Sequence, residues 1–302
     1  MQETTPAALA DWVGREENRA DRLDHRPTAA LAATLDLAPE AVLAEGVLPP
    51  LWHWIHFTPL TRSAELGRDG HPARGGFLPP VELPNRMWAG GRLRFLRPLA
   101  LGAEVERRSR ILRCERKQGR SGELVFVTVA HSIAESPSSG DDPAIEEEQD
   151  IVYRQPAPRN QSGQRPAGES APDGADYRIR RVPDPVLLFR YSALTFNSHR
   201  IHYDQPYTTG EEGYPGLVVH GPLTATLLLQ AYRQTHPARR IERFAFRAFG
   251  PLHAGETVDF CGRDDAPGHS ELWTDIGGRL GMRAEVDYSL PATTRAAAFP
   301  LP

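Results

Sequence analysis

One short pattern occurs twice in the chain, once in each half. Residues 98–105 read Pro-Leu-Ala-Leu-Gly-Ala-Glu-Val, and residues 251–258 read Pro-Leu-His-Ala-Gly-Glu-Thr-Val. Both copies fit P-L-x-x-G-x-x-V, and each follows an aromatic, arginine-containing segment and precedes segments of strand character. Repetition at matching positions indicates a duplicated domain in which each copy forms a hairpin connection. With 302 residues, the chain is long enough for two such domains.

Each half supplies candidate strands, and the second half adds one strong helix. The strand candidates span 104–114, 123–133, 256–263, 270–276 and 282–290. Residues 222–234 begin with a proline, which suits the first turn of a helix, and carry apolar side chains around most of the helix surface. This pattern predicts a largely buried helix wrapped by an antiparallel sheet, an α+β arrangement. The matching part of the first half, 67–91, is crowded with glycine and proline and predicts no comparable helix.

A segment rich in proline, serine, glycine and acidic residues separates the two halves. It spans 135–175 and is typical of a linker. Its one apolar patch, residues 151–153, is either a strand or a docking segment. We therefore predict a first domain over 1–134 and a second domain over 176–302.

Charge and cysteine content argue against several classes of function. The 35 basic and 39 acidic residues give a net charge of −4, which provides no general attraction to nucleic acid or to anionic membranes. No apolar run is long enough for a membrane helix, and the first residues lack the apolar core of a signal peptide, so we expect a cytoplasmic protein. The two cysteines, Cys114 and Cys261, lie outside any C-x-x-C pattern and are predicted to be buried structural thiols.

Polar and ionisable residues concentrate just before the predicted helix. Asn197, His199 and His202 lie close together in the sequence, and His220 and Gly221 stand at the helix entrance. A histidine can take and give a proton near neutral pH, an asparagine can orient water, and the first N–H groups of a helix can stabilise an oxyanion. The set therefore predicts a base, a water-orienting group and an oxyanion site. The His-x-x-His pair has no third ligand at suitable spacing, so no metal is expected.

Several stretches of the chain resemble the MaoC-like, type-2 enoyl-thioester hydratases and dehydratases. Residues 194–204 read LTFNSHRIHYD and residues 216–223 read GLVVHGPL. Residues 77–80 (FLPP) and 86–91 (RMWAGG) resemble the N-terminal half of the subgroup that contains 3-hydroxyacyl-thioester dehydratases and hydratases of mesaconyl- or itaconyl-type CoA esters. The resemblance implies a double hot-dog fold, in which two antiparallel sheets each wrap a helix and the N-terminal helix is degenerate. It also implies an acyl-CoA thioester as substrate and no cofactor.

The usual family pattern, S/T-G-D-x-N-P-x-H, is only partly present. In place of its glycine, aspartate, asparagine and proline stand Phe196, Asn197, His199 and Arg200, and only the final histidine, His202, is kept. An amide is not a general base near neutral pH. Proton transfer is therefore assigned to His202, with His199 as the alternative base, and Asn197 is left to orient water. The altered pattern indicates either a variant active site or a catalytically dead one.

The predicted reaction is reversible hydration of 2,3-unsaturated acyl-CoA thioesters, in which the N–H of Gly221 stabilises charge on the thioester oxygen. The side chains expected to contact substrate are His199, Arg200, Tyr203, Asp204, His220, Arg86 and Arg92. The three arginines are candidates for pairing with a free carboxylate on a branched acyl chain. Alternatives are a fatty-acid-type 3-hydroxyacyl-thioester dehydratase, an acyl-CoA thioesterase and a non-catalytic acyl-CoA-binding subunit. Exposed sheet edges leave association into a homodimer open.

Overall fold

The fold is built on one antiparallel sheet of ten strands. The computed structural model describes residues 9–119, 122–136, 142–155 and 168–291. The strands are β1 (Glu16–Arg22), β2 (Asn85–Phe95), β3 (Glu104–Gly119), β4 (Gly122–Glu135), β5 (Ile145–Arg154), β6 (Tyr177–Arg181), β7 (Arg240–Ala248), β8 (Val258–Ala266), β9 (His269–Ile276) and β10 (Arg279–Ser289). The helices are α1 (His25–Thr34), α2 (Pro39–Ala44), α3 (Pro185–Leu194), α4 (Gln205–Gly210) and α5 (Gly221–Thr235), and short 3-10 turns occupy Leu9–Trp12, Trp52–Ile55, Ser63–Glu65 and Arg200–His202. None of the helices within these described ranges is long and apolar enough to cross a membrane.

The order of the strands repeats the duplication found in the sequence. Across the sheet the order is β1-β3-β4-β5-β2-β7-β10-β9-β8-β6. Read inward from either edge, the two halves have the same connectivity, with β6, β8, β9, β10 and β7 standing where β1, β3, β4, β5 and β2 stand in the first half. The predicted α+β double hot-dog fold is confirmed.

The two predicted sheets are joined edge to edge into one. Residues 90–94 of β2 pair antiparallel with residues 243–247 of β7. Gly90 permits this close approach, because a Cβ at this position would lie 2.6 Å from the carbonyl oxygen of Phe246. The pairing satisfies the N–H and C=O groups that a free sheet edge would leave open. The two halves therefore share a continuous sheet.

The repeated P-L-x-x-G-x-x-V pattern connects strands that are not neighbours. The leucine and valine of both copies are buried, and the glycines, Gly102 and Gly255, both have a φ of 86°, in the left-handed region that favours glycine. The copies carry the chain from β2 to β3 and from β7 to β8, strands that lie apart in the sheet. The predicted hairpin connections are therefore wrong. Each copy is a crossover that turns at its glycine.

The long helix α5 is buried against the second half of the sheet. It extends one residue beyond each end of the predicted helix, and every residue from Leu223 to Tyr232 is buried. Its residues contact β8, β9, β10 and the adjoining strand β2. In the described part of the first half, only α1, α2 and 3-10 turns precede β2 in the helical layer. Glycine and proline between residues 67 and 91 interrupt any helix there, as predicted for the degenerate half.

The predicted linker is wrong over residues 145–154. These residues form β5, which pairs with β4 on one side and β2 on the other. The acidic side chains that gave the segment its linker-like composition pair with arginines of β2. Arg92 lies 2.8 Å from Glu148 and 2.6 Å from Asp150. The apolar patch is part of this strand, other parts of the predicted linker lie outside the described residues, and the remaining domain boundaries stay a prediction.

The two cysteines differ in burial. Cys261 is buried beside Trp273 and Leu280, as predicted. Cys114 is only half-buried, at the margin of a smaller apolar cluster in the first half, so the prediction of a buried thiol is wrong there. Burial raises the pKa of both thiols to about 11. Both cysteines therefore stay protonated and weakly reactive near neutral pH.

Candidate active site

A cavity of about 490 Å³ lies between the two halves of the chain. Trp54 and the segments 70–72 and 84–88 form its first-half wall. The second-half wall is formed by side chains between residues 195 and 202 and by the segment 218–222, which includes the start of α5. The site predicted from the second half is therefore closed by the first half.

Aromatic side chains give the first-half wall an apolar surface. Trp54 and Trp88 meet edge to face with their ring centroids 4.8 Å apart. The indole N–H of Trp54 donates to Glu147, 2.9 Å away, and this buried carboxylate also bonds to His53 at 3.0 Å. The wall is held rigidly by these bonds, and its indole faces suit an acyl chain.

Four imidazole rings follow one another along the cavity wall. His71, His199, His202 and His220 all line the cavity, and we call them the histidine row. Successive ring centroids are 4.0 Å apart from His71 to His199, 5.4 Å from His199 to His202, and 3.5 Å from His202 to His220. His71 belongs to the first half and the other three belong to the second. The row therefore crosses the boundary between the halves.

Hydrogen bonds assign the tautomer of two of these rings. The Nδ1 of His202 lies 2.7 Å from the carbonyl oxygen of Val218, and the Nδ1 of His71 lies 3.0 Å from a carboxylate oxygen of Asp69. Both oxygens only accept, so in each neutral ring Nδ1 carries the proton and Nε2 keeps its lone pair. At the far end of the row, the Nε2 of His220 bonds to the hydroxyl of Ser192 at 2.8 Å.

Burial keeps the row neutral near pH 7. Burial lowers the pKa of His202 to about 4 and lowers the pKa of His71 as well. Burial also lowers the pKa values of His199 and His220, and the charged forms of neighbouring histidines lower them further. For Asp69, burial raises the pKa, but bonding to His71 outweighs it and the net pKa is lowered. The row thus offers neutral imidazoles with an ionised carboxylate at one end.

The start of α5 presents N–H groups to the same cavity. His220 is the N-cap residue, and Gly221 is the first residue of the helix and lines the cavity. An N–H in the first turn has no intrahelical partner, so that of Gly221 can donate to an oxyanion. Nearby, the side-chain oxygen of Asn197 accepts the backbone N–H of His199 at 3.0 Å. Its amide nitrogen remains as the group that can bind water or substrate.

A loop of the first half docks on the segment that carries the second-half histidines. We call residues 66–72 the docking loop. The hydroxyl of Ser198 donates to the carbonyl of Gly70 at 2.5 Å, and the backbone N–H of Arg200 donates to the carbonyl of Asp69 at 2.9 Å. Gly70 has a φ of 86°, and a Cβ there would lie 2.9 Å from the carbonyl carbon of Ser198 and closer still to its oxygen. These contacts hold His71 against His199.

The structure brings together part of the predicted site. Six of the predicted residues line the cavity: Asn197, His199, His202, His220, Gly221 and Arg86. The other four, Arg92, Arg200, Tyr203 and Asp204, do not line it in the described chain and have structural partners.

The four predicted residues outside the cavity lining hold the surrounding structure in place. Arg92 pairs with two acidic residues of β5, and Arg200 pairs with Asp204 at 2.7 Å while its guanidinium also bonds to the docking loop. The carboxylate of Asp204 accepts the N–H of Tyr207 and so caps α4. The Tyr203 hydroxyl donates to the carbonyl of Ser198 at 3.1 Å.

Two groups of side chains at or beside the cavity were not predicted from the sequence. Asp69 and His71 come from the glycine- and proline-rich stretch 67–91 of the first half, which is predicted to lack a helix and whose family-like motifs begin only at residue 77. Arg154 and Glu212 also line the cavity, although Arg154 lies in the segment interpreted as a linker. The one available signal was Asp-Gly-His itself, a carboxylate two residues before a histidine, which is a spacing that permits the observed local hydrogen bond.

The spacing of His199 and His202 predicts no metal, and the structure gathers a different set of possible ligands around His199. Asp69, His71 and His199 offer ligand atoms within 4.8 Å of one another. However, Asp69 already accepts from Nδ1 of His71, and the rings of His71 and His199 face each other at 40°. Imidazole lone pairs lie in the ring plane and do not converge well from facing rings. The expected absence of a metal stays a prediction.

Comparison with known proteins gives a consistent set of relatives. A model of the family described as hydroxyacyl-thioester dehydratase type 2 matches residues 51–254. The mesaconyl-C4-CoA hydratase of Chloroflexus aurantiacus is 49% identical over 242 residues, which make up 80% of this chain and 84% of that protein. The mitochondrial hydroxyacyl-thioester dehydratase type 2 of Schizosaccharomyces pombe is 27% identical over 249 residues, 76% of this chain and 80% of that protein.

Solved structures share the same fold. A MaoC-like dehydratase superposes with a TM-score of 0.69 at 16% identity, covering 94% of this chain and 100% of that one. A MaoC-like dehydratase from Phytophthora capsici superposes with a TM-score of 0.68 at 16% identity, covering 96% and 100%. At these identities the likeness concerns the fold alone.

Proposed function

The chain belongs to the hydroxyacyl-thioester dehydratase type 2 family and is a hydro-lyase acting on acyl-CoA thioesters, and on this premise we propose that it hydrates a mesaconyl-type CoA ester. The similarity to mesaconyl-C4-CoA hydratase, which extends over most of both chains, carries the proposal. Such an ester has a branched, 2,3-unsaturated acyl chain with a free carboxylate. The cavity between the halves offers both an aromatic wall and cationic side chains for that chain.

Three groups of the second half carry the proposed reaction. The Nε2 of His202 takes a proton from a water held by the amide nitrogen of Asn197, and the water oxygen bonds to the β-carbon. The π electrons of the double bond move onto the thioester oxygen, where the N–H of Gly221 stabilises the negative charge. Loss of one such donor costs about 3 to 4 kcal/mol in other enzymes. The α-carbon then receives the proton back from His202, so water adds to one face and no proton is gained or lost.

We infer that arginines of the first half bind the substrate carboxylate. Arg86 on β2 and Arg154 on β5 both line the cavity. Arg86 stands opposite Tyr153 and Arg154 stands opposite Asn85 in the β2–β5 pairing, so the two residues are diagonal neighbours at this end of the sheet, although their side chains leave opposite faces of it. A guanidinium can hold a carboxylate through two parallel hydrogen bonds. We assign the contact to Arg86, as expected from the sequence, with Arg154 beside it.

Kinetics on paired substrates test the proposal. Mesaconyl-C4-CoA and crotonyl-CoA both carry a 2,3-double bond, but only the first carries a free carboxylate. We expect the wild type to prefer the mesaconyl ester, and Arg86→Gln to lower kcat/KM for that ester about 10- to 100-fold, the effect of one charged hydrogen bond. The same variant should leave crotonyl-CoA within about threefold. Arg94→Gln is the matched control, because Arg94 lies on the same strand but pairs with Glu146 outside the cavity.

Other outcomes separate the alternative functions. Equal kcat/KM for both esters would contradict the mesaconyl assignment and favour a fatty-acid-type dehydratase. Release of free thiol would indicate a thioesterase, and binding without turnover would indicate an acyl-CoA-binding subunit. His202→Ala should lower kcat about 10²- to 10⁴-fold in a folded protein. The cytoplasmic location and the homodimer stay predictions.

A further inference from the structure

The docking loop places a second neutral imidazole in the catalytic cavity. His71 lines the same cavity as His202 and comes from the opposite half of the chain. Position 197, where the family pattern has an aspartate, holds an asparagine. The second half lines the cavity with the neutral rings of His199 and His202, and among the described residues a hydrogen bond leaves Nε2 of His202 as an acceptor, whereas none assigns a tautomer to His199. A water that is to attack in a fixed direction is best held by both of its hydrogens, which calls for a second acceptor of fixed tautomer.

Asp69 fixes which nitrogen of His71 carries the ring proton. Its carboxylate accepts from Nδ1 of His71 at 3.0 Å and also from the backbone N–H of His71 at 3.0 Å. The carboxylate is thus anchored at two points, and Nδ1 must be the protonated nitrogen. The Nε2 of His71 is consequently an acceptor with the same character as the Nε2 of His202, whose Nδ1 is bonded to the carbonyl of Val218.

We propose that His71 is a second catalytic residue, which accepts one hydrogen of the attacking water while His202 accepts the other, and that Asp69 is a positioning residue that holds His71 in the required tautomer. The inference rests on the proposed hydration and assigns the part that the aspartate plays in the family pattern to a residue pair from the other half.

Both hydrogens of the water are accounted for when His71 and His202 are neutral at the start of the step. His202 takes one water hydrogen as the oxygen bonds to the β-carbon, and the same proton later goes to the α-carbon. The second water hydrogen stays on oxygen, becomes the hydroxyl hydrogen of the product, and remains bonded to Nε2 of His71. In the reverse reaction the same bond holds the leaving hydroxyl. The negative charge of Asp69 also favours the imidazolium that forms transiently in the row.

Asp69→Asn tests the tautomer directly, because an asparagine NH₂ can donate to Nδ1 of His71 and so place the ring proton on Nε2. We expect kcat for hydration to fall about 10²- to 10⁴-fold, with KM within about threefold. Asp69→Glu, which keeps a carboxylate acceptor, should recover at least about tenfold of the loss. His71→Ala should lose activity to the same extent as Asp69→Asn. The matched control is Asp287→Asn, which removes a carboxylate from Nδ1 of His269, 2.6 Å away and outside the cavity, and should leave kcat within about threefold.

Imidazole ¹⁵N spectra give a readout that a purely structural role would not move. In the wild type, Nε2 of His71 should show the shift of an unprotonated ring nitrogen, and Asp69→Asn should convert it to a protonated one. A protonated Nε2 in the wild type overturns the proposal, even if Asp69→Asn fails to fold. A folded Asp69→Asn that keeps kcat within threefold overturns it too.

Further outcomes distinguish a bound metal, and a failure of the proposed function, from a failure of the role given to His71. If wild-type activity is lost with EDTA and restored by Zn²⁺, a metal rather than His71 holds the water and the proposal is wrong. If the wild type hydrates no enoyl-CoA ester at all, the proposed function fails. If it hydrates them and the Asp69 and His71 variants do so equally well, only the present inference fails.

Discussion

Gly70→Ala should uncouple the two halves of the site while the chain still folds. Gly70 has a left-handed φ, which costs an alanine about 1 to 2 kcal/mol. Its Cβ would also lie 2.9 Å from the carbonyl carbon of Ser198 and closer to the oxygen, so the docking loop must move away from that carbonyl by about 1 Å. A displacement of that size at reacting groups costs about 100-fold in rate. We expect kcat to fall about 100-fold because His71 moves with the loop.

Gly75→Ala is the matched control for this variant. Gly75 has a φ of 89°, but its Cβ would meet nothing closer than Pro80, at 3.7 Å. It therefore carries the left-handed penalty without the clash. Both variants should lower the melting temperature by a few degrees, on the basis of about 2 to 4 °C per kcal/mol, and only Gly70→Ala should lose kcat in an assay that follows consumption of the enoyl thioester. If the two variants have the same kcat, contact between the halves does not set the catalytic geometry.

The buried groups give three further predictions. Because burial lowers the pKa of His202 to about 4, the base is neutral from pH 6 to 8, and the rate of hydration should stay flat there and fall only as the pH approaches 4. The folded pKa of His202 lies below the unfolded value of 6.5, so the contribution of this residue to stability is fully present above pH 6.5 and is lost as the pH falls toward 4. Over that range the wild type should lose on the order of 3 kcal/mol more of its free energy of unfolding than His202→Gln does. Denaturation curves with equal pH dependence in both proteins would contradict this. Leu228→Ala, at a fully buried position of α5, should lower the free energy of unfolding by about 3 to 5 kcal/mol, whereas Val186→Ala, at an exposed position of α3, should change it by less than about 0.5 kcal/mol.

The sequence predicted the features that depend on local patterns. The repeated pattern revealed the duplication, because a buried valine and a left-handed glycine recur wherever the same crossover is made. The apolar surface of residues 222–234 predicted α5 to within one residue at each end. His202, His220 and Gly221 were found because they adjoin that helix.

The features that it missed depend on contacts between distant segments. Glu148 and Asp150 gave β5 the composition of a linker, since the arginine that neutralises them, Arg92, lies on another strand. His71 reaches the cavity, with Asp69 bonded behind it, because the docking loop bonds to the segment around Ser198. No periodicity within either segment records that contact.

The loop that crosses between the halves also constrains how such chains can be recombined. A chimera joined near residue 155 would combine a first half from one relative with a second half from another, and could preserve every strand pairing within each half. In such a chimera, however, the docking loop of one parent would have to bond to the segment around residues 198 and 200 of the other parent. Residues 66–72 and 197–204 are far apart in the sequence but depend on each other in the structure. Moving this active site into another scaffold therefore requires that both segments be exchanged together.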